Sequence, residues 1–332
     1  MDLKQQINFS LWCDFIERDF LENGFQKLLD DKTIYGATSN PAIFEQSITS
    51  SEAYTQQIDM LQANDTKKIY EELAITDIKR AAQIMYPLYE NNNDDGFISI
   101  EVDPNFCDDA QETINEGIRL YNSIGNENVM IKVPATTAGY IAMKELTSQG
   151  INVNATLVFS VSQAISCTKA LDEGIKLSQK DTKGVVSVFV SRFDRELDDK
   201  LISIDIEPSK TGILNATKCY HQIQKIGNEH IRTLFASTGV KGDRLNSSYY
   251  IENLIYPHSI NTAPLSTINS YIELETFEQS KIITEDKCDE YFDILKQNNI
   301  HIDNISDKLL EDGLKSFKIS FKNMLQKLKK EN

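Results

Sequence analysis

The chain has 332 residues, 40% of them hydrophobic and 25% charged, the ordinary balance of a water-soluble globular protein. That length accommodates one large α/β domain or two smaller ones. Its 34 Lys and Arg are outnumbered by 50 Asp and Glu, giving a net charge of -16, which argues against a nucleic-acid partner that would require a basic face. The same charge repels anionic substrates at long range, so a phosphate site would have to rest on a few local cations.

The five cysteines, Cys13, Cys107, Cys167, Cys219 and Cys288, are scattered and form no CxxC, the pattern of reduced thiols in the cytoplasm. The four histidines have no ligand spacing, so no metal is expected. Neither a secretory leader nor an apolar run of about 20 residues is visible, so no membrane contact is expected.

In chain order, strand-like runs fall at 10–14, 33–39, 97–102, 129–134, 151–160, 185–191, 232–238 and 250–256. Helix-like segments separate them, the pattern of parallel strands joined by crossovers. This predicts an α/β fold: one (β/α)8 TIM barrel over 1–332 with additional helices. An open doubly wound sheet is the second choice, and nothing resembles its GxGxxG turn.

Side chains alternate across a strand. Val129, Ile131 and Val133 therefore share one face while Met130 and Lys132 share the other. Ile151, Val153, Ala155 and Leu157 oppose Asn152, Asn154 and Thr156, and Ile98, Ile100 and Val102 oppose Ser99, Glu101 and Asp103. Val186, Val188 and Val190 oppose Ser187, Phe189 and Ser191. One face is apolar and suits outer helices; the other gathers a lysine, an acid, amides and hydroxyls. In a barrel that second face points inward, where catalytic groups sit near the C-terminal strand ends. A final segment, 308–330, carries Leu310, Leu314, Phe317, Phe321, Met324 and Leu328 at three-to-four spacing, an amphipathic helix. Packing on the barrel wall is its simplest role; a lid or a dimer contact is the alternative.

Lys132 sits among apolar neighbours in Val-Met-Ile-Lys-Val-Pro. Burial penalises an ammonium ion, and a desolvated lysine amine can attack a ketone to form an imine. A strand lysine paired with an acid would be the plainer explanation.

Five segments resemble one family. Gly-Ala-Thr-Ser-Asn-Pro-Ala-Ile-Phe at 36–44 is similar to the transaldolase signature, and Asn-Val-Met-Ile-Lys-Val-Pro-Ala-Thr at 128–136 to the segment bearing its Schiff-base lysine. Gly-Ile-Asn-Val-Asn-Ala-Thr-Leu-Val-Phe-Ser at 150–160 resembles the following strand. Val-Ser-Val-Phe-Val-Ser-Arg-Phe-Asp at 186–194 and Phe-Ala-Ser-Thr-Gly-Val-Lys-Gly at 235–242 resemble its phosphate-end strands.

The resemblance implies a transferase of the pentose phosphate pathway that works without a cofactor. Lys132 would be the nucleophile, and Asp14 the base at the C4 hydroxyl. Glu101 would act as acid and base at the carbinolamine through a water held by Thr156. Thr38, Asn40, Asn154, Ser187 and Phe189 would line the sugar site, with Arg192, Ser237 and Lys241 at the phosphate. Lys241 stands where the best-known branch carries an Arg after a shorter loop. Simpler roles are also open: Asp14 pairing with Arg18, Glu101 holding Lys132, Asn40 forming a turn and Lys241 being solvated. The implied substrates are fructose 6-phosphate, sedoheptulose 7-phosphate, erythrose 4-phosphate and glyceraldehyde 3-phosphate, with a monomer or a homodimer both open. The related fructose-6-phosphate aldolases typically carry Gln and Tyr where this chain has Glu101 and Phe189, which favours transfer over cleavage. A non-catalytic sugar-phosphate-binding barrel is the other alternative.

Overall fold

A computed structural model of the protein describes residues 3–91, 94–274 and 277–328. Eight parallel strands close into a barrel in sequence order. They are β1 (Ser10–Cys13), β2 (Ala37–Thr38), β3 (Ile98–Glu101), β4 (Val129–Pro134), β5 (Asn152–Val158), β6 (Gly184–Phe189), β7 (Ile231–Ala236) and β8 (Ser259–Ala263). Major helices between them include Pro41–Ser50, Thr66–Asn91, Ala110–Ile124, Thr137–Ser148, Val161–Leu177, Ser191–Ser203 and Thr211–Ile226. The architecture is the (β/α)8 barrel expected from the alternating pattern.

Strand parity organises the core as expected. Val129, Ile131, Val133, Val153, Val186 and Val188 pack outward against helix residues such as Ile114, Leu146 and Leu171. Trp12, Phe97, Met130, Val185, Leu234 and Ile260 fill the barrel interior. Burial of both faces excludes water from the ladder and leaves the strand ends as the places where polar side chains can gather.

Three expectations are corrected. The eighth strand is not 250–256: that stretch is the short helix Tyr249–Glu252 and the loop after it, and β8 lies beyond. The aromatic residues that made 250–256 look like a strand serve other contacts, Tyr250 donating to Asp194 and the Tyr256 hydroxyl bonding to that of Thr217. β8 itself reads Ser-Ile-Asn-Thr-Ala, too polar to stand out. Leu157 also leaves its expected face. It takes a left-handed φ of 56°, the pairing with β6 shifts register between Ala155 and Val158, and Leu157 joins the interior cluster while Val158 packs outward. The bulge adds a residue, so parity beyond it reverses. The final helix is longer at its start than expected, Ile302–Lys327, while Lys329 and Lys330 of the expected 308–330 lie outside the described residues.

That helix does more than cover the wall. Leu309 and Phe317 join the interior cluster with Leu157, Phe159 and Phe189, and the Phe321 ring meets Tyr70 edge-on at 5.4 Å. It therefore lies against the C-terminal end of the barrel, the end that carries the candidate site.

Candidate active site

Lys132, 5% exposed, is the fourth residue of β4 and is flanked in register by Glu101 on β3 and Asn154 on β5. The turn behind it is tight: a Cβ on Gly139 would come within 2.0 Å of the Pro134 carbonyl oxygen, so only glycine lets the following helix start there. The Thr136 side chain caps that helix by accepting from the Gly139 N–H, a contact worth about 1 kcal/mol.

Lys132 Nζ donates to the Ser39 carbonyl oxygen at 2.9 Å, and no ion pair to it is found among the described residues. Asp14, just past β1, accepts from Thr38 Oγ1 at 2.6 Å. The Thr38 hydroxyl also lies 2.7 Å from that of Thr262. Since Thr38 gives its single proton to the carboxylate, Thr262 must donate to Thr38, a three-residue chain from β8 to β1. Asp14 does not pair with Arg18, whose guanidinium bonds Asp77 at 2.9 and 3.0 Å. Beneath Lys132, Asn154 is held on both sides: its Nδ2 donates to Ser99 Oγ at 3.0 Å, and its Oδ1 accepts from Ser187 Oγ at 2.6 Å.

Burial raises both acids above the ordinary carboxylate range. Burial pushes Glu101 up to about 8, opposed by the Lys132 charge and assisted by Asp14. It is therefore mostly protonated at neutral pH and can donate. Asp14 is raised by burial too, while Lys132 and the Thr38 hydrogen bond hold it down. Glu101 Oε2 and Thr156 Oγ1 are both buried without a hydrogen-bond partner. Such atoms cost roughly 1–3 kcal/mol each, so a polar group that reaches both would be bound with that gain.

Arg192 opens the helix Ser191–Ser203 after β6. Its guanidinium lies over the rings of Phe189, at 5.1 Å, and Phe159, at 5.8 Å. Burial lowers it to about 10, with Arg195 adding repulsion and Asp312 opposing. Neither Arg192 nor Arg195 has a hydrogen bond or ion pair among the described residues. Ser237, at the end of β7 with φ 54°, accepts from the Ser191 N–H at 3.0 Å through its carbonyl, and the two hydroxyls are 3.3 Å apart. β7 is thus tied to the root of Arg192.

Other expected residues are placed less centrally. Asn40 caps the helix Pro41–Ser50, its Oδ1 accepting from the Ala42 and Ile43 N–H groups, so only its amide remains for another partner. Lys241 is exposed on the loop after β7, and no contact ties it to Arg192 among the described residues. Sequence reasoning missed Ser39, whose carbonyl holds Lys132, and Thr262, which lies in β8, beyond the stretch 250–256 expected to be the eighth strand. Arg195, one helical turn after Arg192, was the available signal for a second cation. No group of three or more His, Cys, Asp or Glu suited to a metal occurs among the described residues.

A buried lysine between Glu101 and Asn154, its charge felt by the Glu101 and Asp14 carboxyls, at the C-terminal end of a barrel suits imine chemistry, and comparison with known proteins agrees in kind. The family model for transaldolase/fructose-6-phosphate aldolase matches residues 11–328. The chain belongs to the transaldolase/fructose-6-phosphate aldolase family. It is 45% identical to a transaldolase of Helicobacter pylori (strain P12) over 318 residues, 96% of this chain and 98% of the relative. It is also 45% identical to a transaldolase of Campylobacter jejuni (strain RM1221) over 332 residues, 97% of this chain and 99% of the relative. Membership in this family of enzymes matches the resemblance read from the five motifs. No helix among the described residues is long and apolar enough to cross a membrane.

Proposed function

We propose that this chain is a transaldolase, a transferase in which Lys132 carries a dihydroxyacetone unit between sugar phosphates. The observation that carries the reading is the buried Lys132 amine, bonded to a main-chain carbonyl and set between Glu101 and Asn154, with the Asp14 carboxylate within reach of its charge. Relatives named transaldolase along nearly their whole length support it.

In the proposed cycle Lys132 attacks the C2 ketone of fructose 6-phosphate or sedoheptulose 7-phosphate. Glu101, neutral at pH 7, passes a proton to the carbinolamine hydroxyl through a water bound by Thr156, and water leaves to give the imine. Asp14 takes the C4 hydroxyl proton, the C3–C4 bond breaks and the aldose phosphate departs. The remaining enamine adds to erythrose 4-phosphate or glyceraldehyde 3-phosphate, with Asp14 returning the proton. Asn154 and Ser187, with Thr38 and Asn40, take the sugar hydroxyls. Arg192, Ser237 and Lys241, with Arg195, take the phosphate, which answers the repulsion of the net charge locally.

We read residues 1–332 as one catalytic unit acting in the cytoplasm as a monomer or homodimer without a cofactor. The five free cysteines, all buried, suit a reducing compartment. Borohydride trapping with fructose 6-phosphate, followed by peptide mapping, should leave a reduced three-carbon adduct on Lys132. A folded, sugar-binding protein with no labelled lysine would remove the imine mechanism.

The family name also covers an aldolase, which releases free dihydroxyacetone without an acceptor. Phe189 speaks for transfer: a phenyl ring cannot protonate the enamine, so the enamine waits for an aldehyde. Phe189→Tyr should raise free dihydroxyacetone release; equal release would withdraw the argument from the ring.

A further inference from the structure

Gly313 lies in the middle of the C-terminal helix Ile302–Lys327 and is buried. Its backbone is not in the left-handed region, so conformation does not require glycine there. A glycine inside a helix is about 1 kcal/mol less favourable than alanine. What the position lacks is room. A Cβ on Gly313 would stand 3.0 Å from Leu157 Cδ2 and 3.2 Å from Arg192 Nη1, closer than ordinary van der Waals contact.

Both neighbours are meaningful. Leu157 is turned into the mouth by the bulge in β5. The Arg192 guanidinium is bounded on one side by the Phe159 and Phe189 rings and on the other by this helix. With no hydrogen bond among the described residues to orient it, the guanidinium is placed by its packing against the two rings and this helix.

We propose that Gly313 is a positioning residue for phosphate recognition: its bare backbone lets the C-terminal helix close on Leu157 and Arg192 and so sets where the cation sits over the two rings. This deepens the reading of Arg192 as the phosphate ligand and rests on it. The helix then forms part of the phosphate-end wall, and a few tenths of an ångström there change recognition without touching Lys132.

The test compares acceptors. In Gly313→Ala, KM for glyceraldehyde 3-phosphate should rise roughly fivefold, as expected for misplacing one charge-assisted contact, with kcat held. Turnover with unphosphorylated glyceraldehyde should be unchanged, and the melting temperature should be equal or higher because alanine favours helix. The double variant Gly313→Ala/Leu157→Ala frees the leucine side of the contact but not the Arg192 side, so its KM should stay raised relative to Leu157→Ala alone. Return to the Leu157→Ala value would assign the effect to Leu157 and overturn the proposal. An unchanged KM in Gly313→Ala, when Arg192→Gln does abolish the preference for the phosphorylated acceptor, would overturn the role of Gly313 alone. Arg192→Gln that keeps the preference would remove the phosphate reading itself.

Discussion

Two arginines after or on adjacent strands are used in opposite ways. Arg232, on β7 near the N-terminal end of the barrel, gives Nη1 to the Asp94 carbonyl at 2.9 Å and to Asp95 at 3.1 Å. Its Nη2 reaches the Asn8 and Ser259 carbonyls and Ser10 Oγ, each at 2.8 Å, leaving Nε alone unsatisfied. Trp12 Nε1 also donates to Asp95, at 3.4 Å, and Lys4 pairs with the same carboxylate. Arg192, at the opposite end, has aromatic faces for company and its donors uncommitted. The contrast is one of the guanidiniums and does not extend to every small group: Glu101 Oε2 and Thr156 Oγ1 at the mouth have no hydrogen-bond partner, but neither have Asn126 Oδ1, Asn128 Oδ1 and His258 Nε2 toward the other end. Buried polar groups are normally paired. Arg232 is spent on the protein, and Arg192 keeps its donors for something that arrives.

Substitutions should divide along that line. The largest loss is expected for Lys132→Met, with sugar exchange falling by about a thousandfold or more while circular dichroism shows an intact fold. Surviving exchange would move the nucleophile elsewhere. Arg232→Gln should act the other way, lowering stability by about 3–5 kcal/mol through a broken buried network, with the KM of the surviving folded enzyme unchanged. Arg192→Gln should raise KM for phosphorylated substrates about tenfold or more, as loss of charge-assisted bonds does, and leave the melting temperature in place. If these two variants behaved alike in denaturation and in kinetics, the contrast between the ends would dissolve.

A subtler effect is expected from Glu101. Its carboxyl, lifted by burial to about 8, is a proton donor below that pH and loses the role above it. The kcat profile should therefore fall with a midpoint near 8, and Glu101→Gln, slower throughout, should lack that limb. The sign for stability follows from the raised value: the folded state keeps this proton more tightly than the unfolded chain. The advantage is complete below the ordinary glutamate range and is lost as pH rises through about 8. Glu101→Gln should thus gain stability relative to the parent between acid and alkaline urea titrations; a constant difference would contradict the assignment. The smallest change belongs to Thr262→Val, which removes the donor behind Thr38. Asp14 should then titrate slightly higher and the acid limb of kcat should move up, with a rate loss of less than about tenfold. An unmoved limb would leave Thr262 a packing residue.

Much of this was legible from the residues. Alternation in 98–102, 129–134 and 186–190 separated outward valines from inward Glu101, Lys132, Ser187 and Phe189, because parity is a local property of an extended chain. The family resemblance carried Asp14, Asn154 and Arg192 to attention without saying what each would touch. Where local rules were broken, the reading broke with them. Leu157 reversed face at a bulge, and a polar β8 was passed over for an apolar stretch, taking Thr262 with it.

The sequence by itself determined the barrel, its inward polar face and the lysine at its centre, since all three follow from periodicity and residue type along short stretches. Only the tertiary structure decided that Lys132 meets the Ser39 carbonyl across 93 residues, that Asn40 spends its carbonyl on a helix cap, and that Gly313 leaves room for Arg192. Those contacts join segments remote along the chain, and their geometry is set by closure of the barrel and the path of the last helix across it, which no local pattern encodes.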